Sequence, residues 1–195
     1  MRVLVACEFS GIVRDAFARR GHDAWSCDLF PSERPGNHIQ DYVERHLDEG
    51  WDLMIAHPPC TYLCVPGAHY LRSQPGRYNR MMSARQMFMT LLQCDIERIC
   101  VENPLPHKKA ELPKSDQTIH PWMFGEPFSK RTCLWLKNLA PLKATEIIAD
   151  HGKRYIRKDG TTSNSEWYAK ATQKQRSRTF PGIAEAMAEQ WGGLK

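Results

Sequence analysis

At 195 residues, 42% apolar and 25% charged, the chain has the composition of one ordinary globular domain with one sizeable core. No apolar run is long enough for a membrane span. Residues 2–7 are too short for a secretory leader and run straight into a turn, so the expectation is a soluble cytoplasmic protein. Seven cysteines, an odd number without repeated CxxC spacing, point to reduced thiols, and a net charge of +5 permits an anionic partner without requiring one.

Residues 2–7 read as a first strand, Phe9-Ser10-Gly11 as a turn, and residues 12–20 as a helix with Val13, Ala16 and Phe17 on one face and Gly21 as its stop. Residues 23–28 form a second strand that ends in Asp28. This is a βαβ opening, and a helix amino terminus after a glycine turn suits a ligand that approaches the backbone closely. An acid closing the second strand is where ribose hydroxyls are gripped in Rossmann-like folds, and Asp28 holds that place. Residues 30–38 are loop by their Pro and Gly content. Gln40-Asp41-Tyr42 is a short edge piece; Asp41 is either a surface acid or a partner for an adenine amino group. A short helix is expected over 43–49.

Residues 51–56 are an apolar run bounded by Gly50 and by the pair Pro58-Pro59, the pattern of a buried strand. The prolines have no N–H for a sheet ladder, so the chain leaves the sheet there and presents Cys60 on a stiff loop. A thiol at the carboxyl edge of an α/β sheet is placed to act as a nucleophile; as a free cysteine it is equally a small buried hydrophobe. Residues 61–80 lack a clear period and read as a flap over Cys60. A helix follows over 83–93, with Ser83 as its N-cap and Met87, Leu91 and Cys94 as its apolar stripe. Residues 97–102 form another buried strand, ending in Glu102-Asn103-Pro104. Residues 105–117 are polar loop, and 132–136 a further strand.

Residues 143–178 change character. Lys153, Arg154, Arg157, Lys158, Lys170, Lys174, Arg176 and Arg178 are interleaved with Tyr155, Trp167 and Tyr168, a mixture that suits a nucleic-acid backbone and unpaired bases. Asp159-Gly160 is a hairpin turn signal, so a solvated hairpin is the competing reading. Residues 181–191 close the chain as an amphipathic helix, with Ile183, Ala184, Met187 and Trp191 as its stripe. There is no internal repeat. The expected organisation is a core over 1–142, a small basic insertion over 143–178, and a returning helix over 179–195.

Three features each follow or end a predicted strand: the Phe9-Ser10-Gly11 turn, the Pro58-Pro59-Cys60 loop, and Glu102-Asn103. In that order and spacing the chain resembles the cytosine-5 DNA methyltransferase family, in a compact version of the kind found in phage genomes. The stretch 125–132, which carries Lys130 and Arg131, resembles the family's basic motif, with Phe128 in place of its Gln and Lys130 in place of its first Arg. Residues 178–183 resemble the approach to its last helix. The first turn departs, with Cys7-Glu8 ahead of Phe9 and no second glycine.

The resemblance implies an α/β fold, a Rossmann-like methyltransferase sheet that is mostly parallel with helices on both faces. It implies S-adenosylmethionine as cofactor, held by Phe9, Ser10, Gly11, Asp28, Asp41 and Pro58. It implies DNA as substrate, contacted by Arg131, Lys153, Arg154, Arg157, Lys158, Arg176 and Arg178, with a protein partner as one source of sequence specificity. Cys60 is then the nucleophile that adds to C6 of cytosine, which requires its pKa to fall, with His57 or Lys130 as the helping cation. Glu102 is the acid at N3, which requires its pKa to rise. Two other readings remain open: a binding protein that keeps the fold without the activity, and the same chemistry on RNA or a free nucleotide. A third, a zinc site from His57, Cys60, Cys64 and His69, has tolerable spacing but matches no finger pattern.

Overall fold

Alternation along the strands dictates the layering. In β1 (Arg2–Ala6), Val3 and Val5 face one side and Leu4 and Ala6 the other, and all four are fully buried. β4 (Leu53–Ala56) repeats the pattern, with Leu53 and Ile55 opposed to Met54 and Ala56. Strands buried on both faces need helices on both faces, and such strands belong in a parallel sheet. The computed structural model, which describes residues 1–150, 154–156, 160, 162–165 and 170–193, has that arrangement.

The main sheet has seven strands in the order β3-β2-β1-β4-β5-β7-β6. β2 (Asp23–Cys27) pairs in parallel with β1 and with β3 (His38–Ile39), and β1 pairs in parallel with β4. β4 pairs in parallel with β5 (Arg98–Pro104). β7 (Thr132–Lys137) runs antiparallel to both β5 and β6 (Gln117–Ile119). The order reverses between β1 and β4, so this is a Rossmann-like sheet with its switch point there.

One face is covered by α1 (Ile12–Ala18) and α4 (Pro181–Gly192). Phe17 and Ala16 pack with Ile183, Met187 and Trp191 over Val3, Val5, Leu53, Ile55 and Leu134. The other face takes α2 (Arg77–Gln93), whose Met81, Phe88 and Leu91 lie with Leu4, Met54, Ile99, Val101 and Trp135. Phe88 and Trp135 meet edge to face at 4.9 Å. A separate antiparallel pair, β8 (Arg154–Ile156) and β9 (Thr162–Ser165), lies in the segment read as an insertion, and α3 (Gln173–Ser177) follows it. Among the described residues no helix is long and apolar enough to cross a membrane.

Several elements differ from the sequence-based expectation. The edge strand is His38–Ile39 rather than 40–42, and the expected helix over 43–49 is a single 3-10 turn, Val43–Arg45. α2 begins at Arg77, not Ser83; Ser83 sits one and a half turns inside it and bonds back to the Asn79 carbonyl at 3.1 Å. Residues 61–80 are not structureless, because a 3-10 segment, Val65–Leu71, occupies their middle. β6 begins at Gln117, the last residue of the expected polar loop, and continues to Ile119, where no strand was expected.

Candidate active site

The first turn of the fold is organised by Glu8. Its side chain is buried, and it folds back onto the start of α1. Oε1 accepts from Val13 N at 2.8 Å and from the Ser10 hydroxyl at 3.0 Å, and Oε2 accepts from Arg14 N at 3.2 Å. Glu8 therefore fills the place at a helix amino terminus where an anion would otherwise bind. A ligand at this turn meets the Glu8 carboxylate rather than the first N–H groups of α1. The tight return needs two left-handed residues, Gly11 at φ 71° and Cys7 at φ 58°. A Cβ on Gly11 would lie 2.5 Å from the Arg14 guanidinium. That guanidinium is itself buried, and it fastens the 28–37 loop through Ser32 Oγ and the carbonyls of Arg34 and Pro35.

The second part of the site comes from two neighbouring strands. In the parallel register Ala56 lies beside Val101, so His57, the first residue past the end of β4, comes next to Glu102, which stays in β5 paired with β7. His57 Nδ1 lies 3.2 Å from Glu102 Oε2. Asn103 is buried and donates from Nδ2 to the Pro58 carbonyl at 3.0 Å, which ties the Pro-Pro-Cys loop to the end of β5. The far side of the loop is pinned as well. His107 N donates to Leu63 O and Val65 N to Leu105 O. Arg77 donates to Thr61 O at 3.2 Å while lying over the rings of Tyr62 and Tyr70. Cys60 thus sits on a loop held from three directions.

Two electrostatic expectations are overturned here. The Cys60 thiol is pushed up rather than down, first because it shares a hydrogen bond with the Cys64 sulfur, then by burial and by the charges of Cys64 and Glu102; Lys130 opposes the shift. The acidic sulfur of the pair is Cys64, pulled down to about 7 first by the bond to Cys60, against burial, with help from the Gly67 backbone and Arg77. Glu102 moves the other way from expectation. Burial raises its pKa, but the His57 hydrogen bond and the Lys130 charge outweigh that and hold the carboxyl below its usual range. Lys130 donates to the Arg176 carbonyl at 2.8 Å and lies 5.9 Å from the Phe180 ring centroid. Cys60, Glu102 and Lys130 therefore fall within electrostatic reach of one another.

A small pocket with a cavity volume of about 10 Å³ lies at the switch point, lined by Cys7, Glu8, Phe9, Ser10, His57, Ser177 and Thr179. Burial keeps the Cys7 thiol protonated. Phe9 meets Phe30 edge to face at 6.2 Å, and Leu29 and Phe30 are exposed apolar residues directly after Asp28. Asp28, at the end of β2, accepts from Phe30 N at 2.9 Å, and burial raises its pKa. Asp41 has its carboxylate engaged locally, by Tyr42 N at 2.7 Å, Arg45 at 2.9 Å and His46 at 3.4 Å. That engagement favours the structural reading of Asp41 over adenine recognition.

Of the residues expected to meet nucleic acid, Arg131 is exposed beside Lys130. Arg178 pairs with Glu33 at 2.7 Å, and Lys174 pairs with the same carboxylate at 2.8 Å. Arg176 lends its carbonyl to Lys130. Arg154 lies on β8, while Lys153, Arg157 and Lys158 fall outside the described residues. Among the described residues no three His, Cys, Asp or Glu side chains come together as metal ligands. Sequence reasoning missed the partnership of Cys64 with Cys60, although their i, i+4 spacing was a visible signal. It also missed Glu8 as a cap, for which an acid ahead of a helix start was the only hint.

No protein-family model and no curated protein matches the sequence. Among solved structures, the Entamoeba histolytica methyltransferase EhMeth is 16% identical, with a TM-score of 0.47 over 78% of this chain and 57% of its own. A prophage-encoded E. coli protein described as a DNA modification methyltransferase is 14% identical, with a TM-score of 0.44 over 70% of this chain and 46% of its own. The chain spans about half the length of these structures.

Proposed function

We propose that this chain is an S-adenosylmethionine-dependent methyltransferase that modifies C5 of cytosine in DNA through a covalent adduct of Cys60. The observation that carries the reading is the juxtaposition at the ends of β4 and β5. A thiol on the loop that follows β4 and a half-buried carboxylate in the neighbouring strand β5 are joined through Asn103 and His57, with Lys130 close enough to act on both.

The first turn supports this cofactor class. Dinucleotides set a pyrophosphate on the helix amino terminus of such a fold. Glu8 occupies that terminus, so a pyrophosphate does not fit, whereas a cationic group does. Phe9, Ser10 and Gly11 would hold the amino-acid end and Pro58 would flank it, with Asp28 toward the ribose and Leu29 and Phe30 near the adenine. The bound sulfonium supplies the methyl group.

Cys60 as thiolate adds to C6, and C5 then has the character of an enamine carbon and is nucleophilic. Before that step its proton passes along the shared hydrogen bond to the Cys64 thiolate, an uphill transfer because Cys64 is the more acidic sulfur. Glu102, ionised, accepts from the exocyclic amino group, the donor that separates cytosine from thymine. Lys130 offsets the negative charge that builds beside the ring; once C5 carries the methyl group, a base would take the C5 proton and the C6–S bond would break, returning Cys60 as thiolate. In a duplex the target base must first leave the stack, and the basic residues of 143–178 would grip the backbone.

Transfer of a labelled methyl group to duplex DNA tests this, alongside calorimetry with S-adenosylhomocysteine. Cys60→Ala is expected to abolish transfer while leaving the affinity for S-adenosylhomocysteine within a few-fold, because a nucleophile acts on the base and not on the cofactor. Retained transfer, or a wild-type chain that binds no S-adenosylhomocysteine, overturns the reading.

A further inference from the structure

The switch-point pocket selects the charge of its occupant. Its lining includes Glu8 but neither lysine nor arginine. The Ser10 hydroxyl donates to Glu8 and the Ser177 hydroxyl to the Lys174 carbonyl, so what both turn outward is lone pairs.

His57 completes the set. Its Nδ1 lies 3.2 Å from Glu102, a carboxyl group held in its ionised form, so the proton of a neutral imidazole belongs on Nδ1 and the lone pair on Nε2. The side chain is 8% exposed, and Nε2 is buried without a hydrogen-bond partner among the described residues. A buried acceptor left unmet in a pocket wall calls for a donor from a ligand.

Resting on the methyltransferase reading, we propose that His57 Nε2 accepts a hydrogen bond from the α-ammonium group of the cofactor's amino-acid arm, which makes His57 a cofactor-recognition residue whose tautomer Glu102 fixes. The other parts of the cofactor match the lining less well. A sulfonium has no N–H to give, a carboxylate would face Glu8 and a lone pair, and the ribose hydroxyls and adenine amino group are neutral. Only the ammonium brings both a donor and the complementary charge. The same contact places one end of the His57–Glu102 pair on the cofactor and the other beside the pyrimidine.

The test compares S-adenosylhomocysteine with its analogue lacking the α-amino group, by calorimetry on wild type, His57→Phe and His57→Gln. Wild type is expected to lose about ten-fold in affinity when the amino group is absent. His57→Phe, with no acceptor, should bind the two ligands alike, and His57→Gln, whose amide oxygen restores an acceptor, should recover part of the difference. The Gln variant also serves if the Phe variant fails to fold, since a discrimination in it as small as the loss of Nε2 allows still supports the contact. If discrimination is as strong without the imidazole as with it, the inference falls and the methyltransferase reading stands. If wild type binds neither ligand, the reading itself falls and the inference goes with it.

Discussion

Two sulfurs one helical turn apart determine how this site reacts. Cys64 N donates to Cys60 O at 3.0 Å, which places both side chains on one side of the turn. The pair titrates as a unit, so its first proton leaves at about 7 and its second far above that. Only thiolates are alkylated, so reactivity follows the ionised fraction. Alkylation of the native protein by iodoacetamide, read by peptide mass, should therefore rise with pH through about 7 and fall mainly on Cys64. In Cys64→Ser that phase should vanish. Cys60 keeps its burial and the Glu102 charge, so its alkylation at neutral pH should become several-fold slower than that of the wild-type pair. A Cys60 that still titrates near 7 in the variant would show that Lys130, not the second sulfur, governs it.

At the level of elements, the closing helix depends on one contact that a substitution can probe. The second residue of α4 is Gly182, and a Cβ there would lie 1.8 Å from the Phe124 carbonyl oxygen. That obstacle is backbone, so it does not swing aside as a side chain would. Gly182→Ala should cost about 3 kcal/mol, at the upper end of overpacking penalties. Denaturant unfolding measures it, and a loss under about 1 kcal/mol would mean that α4 shifts freely over the sheet.

The sequence announced α4, α1 and the central strands because each carries its own pattern, a helical stripe or a short apolar run stopped by Gly or Pro. It did not announce β6. Only three residues pair there, Gln117, Thr118 and Ile119, with Ile119 alone fully buried, and they are a strand because β7 lies alongside to receive them. The start of α2 was hidden for a related reason. Residues 77–82 are polar or charged at most positions, and Arg77 is helical because its guanidinium is committed to Gln74 and Thr61, a long-range constraint that no local period shows.

The assembled molecule shows which parts of the site were readable and which were not. Cys60 and Glu102 each stand where a strand runs into proline, so both were visible one at a time. The contact between His57 and Glu102 spans 45 residues and exists only because β4 and β5 are neighbours, which leaves no local trace. The same holds for the part of the switch-point pocket's wall lined by Ser177 and Thr179. The segment that carries them is fastened to the 28–36 loop by Glu33, which binds both Lys174 and Arg178.

The pocket's cavity volume, about 10 Å³, is far below the ~300 Å³ at which ligand pockets ordinarily begin, so on the proposed reading its walls must move apart for the cofactor to enter. The Glu33 pairs are partly exposed and screened, worth about 1 kcal/mol at most. Removing them should therefore lower the opening barrier by no more than that, a rise of about five-fold in the association rate of S-adenosylhomocysteine. Glu33→Ala followed by stopped-flow fluorescence measures the effect. Added salt should speed wild-type binding in the same direction and leave the variant nearly unchanged, because the variant has no clasp left to screen. An association rate that is indifferent to both Glu33 and salt would mean that the ligand enters without disturbing residues 173–178.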